Sequence, residues 1–151
     1  MAFIPPGARW FLADVVVELT VDGDPRNLVH INMHLVEAES AEQAYKKALA
    51  LGQASEQVYK NSTGREVRAV FRGLRSLDVI HDALEDGAEL AYSERVAVLE
   101  AELQAWLPPK EKLGVFTDGG FKHDVPNYMP ESVMRMLEAE GFARDDVEGD
   151  S

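Results

Sequence analysis

Two histidines flank an asparagine on a two-residue period, His30, Asn32 and His34, within a stretch that alternates like a β-strand. Side chains on a strand repeat every second residue, so this spacing sets two imidazoles on one surface. A hairpin closing about Asp24 places His34 opposite Asp14 and His30 opposite Glu18. Carboxylate–imidazole pairs of that kind can orient a ring for proton transfer or supply metal ligands. A zinc site asks for a third close ligand, which the spacing does not provide, and a solvated sheet face carrying compatible polar pairs is the commoner arrangement. Neither a metal nor a cofactor is expected.

Arg68 and Arg72, with Arg65 and Arg75 nearby, make the basic cluster of an acidic chain. Guanidinium forks suit carboxylates or phosphates, which makes a small anionic ligand conceivable. Asp14, Glu18 and the helix acids compete for the same arginines, and neutralisation within the domain is the simpler expectation. The loop Thr117-Asp118-Gly119-Gly120-Phe121-Lys122-His123-Asp124 mixes glycine with Lys, His and Asp but lacks the spacing of a phosphate-binding loop, because His123 follows Lys122. The neighbours His81 and Asp82 point to different sides of the chain. Serine-nucleophile elbow, zinc-protease helix and calcium-loop motifs are all missing from the sequence.

The whole chain narrows the field further. It has 151 residues, 46% hydrophobic and 28% charged, the composition of a globular protein whose core needs no staple. We expect one domain over residues 1–142 and a disordered acidic tail over 143–151. The 27 acidic against 15 basic side chains leave a net charge of -12, which repels phosphate backbones and anionic lipids and argues against nucleic acid and membrane partners. Phe71 falls on the strand face opposite Arg68 and Arg72, so the arginines lack the interleaved aromatics of a single-strand binding platform. There is no cysteine, hence no thiol nucleophile and no disulfide framework. With no basic leader ahead of a long apolar stretch, the expected location is the cytoplasm.

These side chains must be held by elements legible in the pattern. From Trp10 to Val21 the odd positions Phe11, Ala13, Val15, Val17, Leu19 and Val21 are apolar, a half-buried strand. Asp22-Gly23-Asp24-Pro25 supplies the turn, and Leu28 to Val36 follows with Val29, Ile31, Met33 and Leu35 as its expected core face. Ser40-Ala41-Glu42-Gln43 reads as a capping box opening a helix whose stop is expected at Gly52. Val67, Ala69 and Phe71 mark a third strand with a cationic face. Leu74 to Gly87 spaces Leu77, Ile80 and Leu84 more like a helix than a strand and is read as a connection. Leu90 and Tyr92 suggest a short fourth strand, and Ser93 to Leu107 a helix. Gly119-Gly120, Pro126 and Pro130 make an irregular loop over 117–130, and a last helix runs from Glu131 to Glu140 with Gly141 as its stop. Trp106, Met134 and Met136 are read as core or interface filling.

The ordered residues Trp10, Leu35-Val36-Glu37-Ala38-Glu39-Ser40, Ala44, Gly52, Tyr59-Lys60-Asn61, Gly64 and Phe71-Arg72-Gly73-Leu74 resemble a bacterial family catalogued as domain of unknown function 4288. The resemblance runs from about Arg9 to Arg95. It implies a small soluble bacterial α+β protein and carries over no catalytic residue.

The expected fold is therefore α+β, an antiparallel sheet of three or four strands packed by helices on one face. Its expected role is that of a non-enzymatic protein–protein interaction module, either self-associating or an immunity-type acidic partner of a basic protein. The alternative is a small enzyme or anionic-ligand-binding domain built on Asp14, Glu18, His30, His34, Arg68 and Arg72.

Overall fold

The computed structural model describes residues 4–117 and 124–141. The expected acidic tail and the 118–123 part of the loop fall outside these residues. Strands β1 (Trp10–Val21), β2 (Asn27–Glu37), β3 (Gln57–Lys60) and β4 (Glu66–Val79) form one antiparallel sheet in the order β2-β1-β4-β3. With helices α1 (Ala41–Ala54), α2 (Glu100–Ala105) and α3 (Glu131–Ala139), the fold is α+β. The described residues gather into two compact units, 4–91 with 125–141 and 92–117 with 124.

In the first unit, the odd residues of β1 are buried along its whole length, as their alternation predicts. Phe11 and Ala13 pack with Val36, Ala38, Ala44 and Ala48, so the small face of α1 lies close against the sheet. Val15, Val17, Leu19 and Val21 pack with Val67 and Ala69, flanked by Leu28, Tyr59, Phe71 and Tyr128. The start of α1 is capped as expected, because Ser40 Oγ accepts Gln43 N–H at 3.1 Å while Gln43 Oε1 accepts Glu39 N–H at 2.7 Å. The helix does not stop at Gly52 but continues to Ala54, and Gly52 is buried inside its last turn. Close approach to Phe71, rather than a left-handed cap, is what requires a glycine there.

The third expected strand runs on to Val79, through residues whose three-residue spacing looked helical. Two register shifts explain the resemblance. Val17 faces Phe71, Val16 faces Gly73, Val15 faces Leu74 and Asp14 faces Ser76, so Arg72 and Arg75 are each one residue in excess of their partner strand. Each such bulge adds one residue to the period, so Phe71, Leu74 and Leu77 all turn toward the core at steps of three. Leu90 and Tyr92 form no strand, and the fourth strand is instead β3, which the sequence pattern did not reveal.

Asn61, at the end of β3, is the buried polar side chain of this unit. Its Oδ1 accepts Thr63 N–H at 3.0 Å, Thr63 Oγ1 at 2.9 Å and Arg65 N–H at 2.8 Å, while its Nδ2 donates to Asn127 O at 2.9 Å. Ser62 N–H donates to Met129 O, Tyr59 Oη to Tyr128 O, and Asn61 bridges Pro130. One amide thus closes the β3–β4 turn and ties the 127–130 segment to it, ahead of α3. Asn61→Ala leaves two backbone donors and a carbonyl without partners, and a loss on the order of 3 kcal/mol is expected, about 10 °C in a thermal melt. An unchanged melting temperature would show that water replaces the amide at no cost.

In the second unit, the helix expected over Ser93 to Leu107 is reduced to the six residues of α2. Ala97 sits at φ 57°, a left-handed conformation that breaks the helix before Leu99. Val96, Leu99, Trp106 and Leu107 are all exposed, so there is no packing to hold a longer helix together. Two 3-10 turns, Lys110–Lys112 and Gly114–Phe116, follow, with Lys110 Nζ 5.2 Å from the centre of the Phe116 ring. Among the described residues no helix is long and apolar enough to cross a membrane.

Candidate functional site

The register of the β1–β2 hairpin decides which side chains share a face. Trp10 lies opposite Glu37 and Thr20 opposite Asn27, so the hairpin closes about the Gly23–Asp24 bond and not about Asp24 itself. Gly23, at φ 86°, makes this turn, Asp24 N–H donates to Val21 O at 3.0 Å, and Arg26 locks it through Asp24. The Arg26 hydrogen bonds hold the Asp24 carboxyl below its usual range. A shift of one residue in pairing sends every side chain of a strand to the other face.

The expected carboxylate–imidazole pairs are therefore not formed. His34 lies opposite Ala13 and His30 opposite Val17, on the helix-covered face, half-buried. The His30 ring meets Tyr128 edge-on, with 5.0 Å between centroids and 82° between planes. Asp14 lies opposite Met33 and Glu18 opposite Val29, on the other face. Arg68 and Arg72 join that second face, where Arg72 Nη1 stands 3.8 Å from Glu18 Oε1 and Arg68 Nη2 stands 3.1 Å from Glu66 Oε1. Glu18 Oε2 also accepts Asn27 Nδ2–H at 2.7 Å. Of the six candidate residues, the structure brings Asp14, Glu18, Arg68 and Arg72 to one face and places His30 and His34 on the other. Among the described residues no three His, Cys, Asp or Glu side chains gather in a way that could hold a metal ion. On the helix-covered side, burial pushes the Tyr59 phenol above its ordinary value.

The same register corrects the expected core face of β2. Val29, Ile31, Met33 and Leu35 are turned away from the helix and are 48%, 37%, 69% and 49% exposed. They lie opposite Glu18, Val16, Asp14 and Leu12 of β1. Val70, opposite Glu18, and the exposed Val58, opposite Arg68, extend the apolar surface across β4 and β3. The open face is thus a continuous sheet surface, apolar along the edge strand β2 and crossed by the Glu18–Arg72 ion pair. Isolated exposed apolar residues are ordinary on protein surfaces, whereas Val29, Ile31, Met33 and Leu35 are contiguous along one side of one strand. Such a surface can bury apolar area and offer backbone groups to a partner, and its exposed ion pairs contribute orientation more than affinity.

Sequence reasoning missed Val29, Ile31, Met33, Leu35 and Val58 as surface residues, and it named Asn61 among the residues of the family resemblance without seeing that it is buried. One signal was available for the first group. The even positions of β2 include Leu28 and Val36, so both of its faces carry apolar residues and its own alternation cannot choose between them. For Asn61 the spacing Asn61-x-Thr63 is that of an Asx-turn, but burial was not visible in it.

No curated protein and no solved structure matches the chain. A family model does, over residues 10–93, a span that takes in all four strands and α1 and covers more than half of the sequence. On that match, and with the sheet it encloses, the chain belongs to the family described as Domain of unknown function (DUF4288).

Proposed function

We propose that this protein is a non-enzymatic interaction module that binds protein surfaces through the open face of its sheet. The observation that carries this reading is the row Val29, Ile31, Met33 and Leu35, exposed together on one side of an edge strand. Fully burying side chains of this size stabilises an association by about 1.5–3 kcal/mol each, less where they are already partly covered. The division of the six candidate residues over two faces parts the imidazoles from the carboxylates and arginines, which takes support from the enzymatic alternative. A narrower version, an immunity-type acidic partner of a basic protein, draws its support from the net charge of -12.

A photo-crosslinking residue at Met33, on the open face, tests the reading in living cells, with the same group at the exposed Lys46 of α1 as control. Adducts with polypeptides, the chain itself included, are expected at Met33 and not at Lys46. Equal labelling at the two positions, or none at Met33, would overturn it.

A further inference from the structure

β2 stands at the edge of the sheet and is paired with β1 alone. It is eleven residues long, its pairing with β1 runs without a bulge, and from Asn27 to Val36 it contains no charged residue and no proline. Edge strands are ordinarily protected by charge, proline, bulges or shortness, since their free backbone groups template further pairing. The opposite edge, β3, is only four residues long. A long edge without a bulge, and without charge from Asn27 to Val36, beside exposed apolar side chains is what a further strand would pair with.

The sequence of that edge shows which strand fits it. Asn27-Leu28-Val29-His30-Ile31-Asn32-Met33-His34-Leu35-Val36-Glu37 is a near-palindrome about Asn32. Ile31 mirrors Met33, His30 mirrors His34, Val29 mirrors Leu35 and Leu28 mirrors Val36. A near-palindromic strand is complementary to itself when run antiparallel across a two-fold axis, because each residue then meets its mirror image. We infer that the partner of this edge is a second copy of the chain, paired β2 to β2 about Asn32 in one continuous eight-stranded sheet. The inference rests on the reading of this side of β2 as an interaction surface: the second copy occupies the strand's edge and widens the open apolar face rather than covering it.

The register follows from two requirements. Residues directly opposite in an antiparallel pair must project from the same face, which demands that odd positions meet odd positions. Centring on Asn32 meets this demand and is also the register in which all eleven residues overlap, although the Glu37 carbonyl at its end already accepts Lys47 Nζ at 2.6 Å. On the open face it sets Ile31 against Met33 and Val29 against Leu35, twice each, joining the two apolar rows into one. On the helix-covered face it sets Leu28 of the second copy beside Val36. Along that edge an open groove of about 370 Å³ is lined by Leu35, Val36, Glu37, Lys47, Ala50 and Leu51. The charge of -12 on each copy opposes association, but Glu37 is the single charge on the strand, and repulsion beyond about 8 Å is screened at physiological salt.

The chain has no cysteine, so introduced thiols report on register without interference. Sedimentation of the full chain is expected to give twice its 16.7 kDa. The Asn32→Cys variant, whose two sulfurs face each other across the axis at a separation that suits a disulfide, is expected to oxidise to a covalent dimer. Val29→Cys alone is expected to stay unlinked, its copies being far apart along the strand, and to link when mixed with Leu35→Cys. A monomer at all concentrations, or a dimer in which Asn32→Cys does not link while Val29→Cys links to itself, would overturn the inference. Either result leaves the proposed function standing if Met33 still forms adducts with polypeptides, the chain itself included, and removes both if it forms none.

Discussion

Val15→Asp is expected to abolish folding, whereas Ile31→Asp leaves a soluble protein with a cooperative melt. Val15 is fully buried in the middle of β1, between Asn32 on β2 and Leu74 on β4. A carboxylate there loses its water and finds no partner, a penalty of several kcal/mol. A domain of this size has a total stability of roughly 5–15 kcal/mol, so the change removes most or all of it. Ile31 lies on the open face at 37% exposure, where an aspartate keeps access to solvent. Its cost to the monomer is expected within about 1 kcal/mol, in line with other surface substitutions. Circular dichroism melts of the two purified variants check both forecasts. An unfolded Ile31→Asp chain together with a folded Val15→Asp chain would mean that the faces of the hairpin are reversed.

The second large effect is expected at Gly52, where α1 passes over β4. A Cβ on this residue would lie 2.3–2.6 Å from three atoms of the Phe71 ring, well inside van der Waals contact. In an exposed helix, Gly→Ala stabilises by about 1 kcal/mol through propensity. Here the clash must be relieved by moving the ring or the helix, and overpacking of this kind costs about 1–3 kcal/mol. Gly52→Ala is therefore expected to lower stability by up to about 2 kcal/mol net, because the displaced ring belongs to the core beside Val15, Val17 and Ala69. Phe71→Leu costs stability on its own by leaving space unfilled, yet in the Gly52→Ala background it removes the obstacle. The double variant is thus expected to be more stable than the sum of the two single losses allows, a coupling that a double-mutant cycle in urea measures directly. A Gly52→Ala protein that melts above the parent would show that the ring yields freely and that propensity dominates.

Several elements could be read from the residues alone, for local physical reasons. The six apolar odd positions from Phe11 to Val21 define β1 and its buried face, because no other secondary structure puts all six on one side. Ser40 with Gln43 defines the start of α1, since the hydroxyl accepts one helix N–H and the amide oxygen reaches back to the Glu39 N–H, both within a single turn. Pro130 and Gly141 bracket α3 through backbone preferences that need no tertiary partner. What the tertiary structure decided were the features that depend on pairing. The length of β4 was hidden because two bulges stretch its core-facing spacing to three, and a bulge exists only relative to the neighbouring strand. The short strand β3 forms because β4 offers it an edge, not because four residues have a strand pattern of their own. Above all, the face assignment of β2 was settled by where the hairpin turns. With apolar residues at both odd and even positions, β2 is consistent with either orientation, and only its register against β1 chooses between them. One residue of difference in that turn separates an imidazole–carboxylate surface from the apolar open face that the protein presents, because side chains on a strand alternate and pairing register carries all of them together.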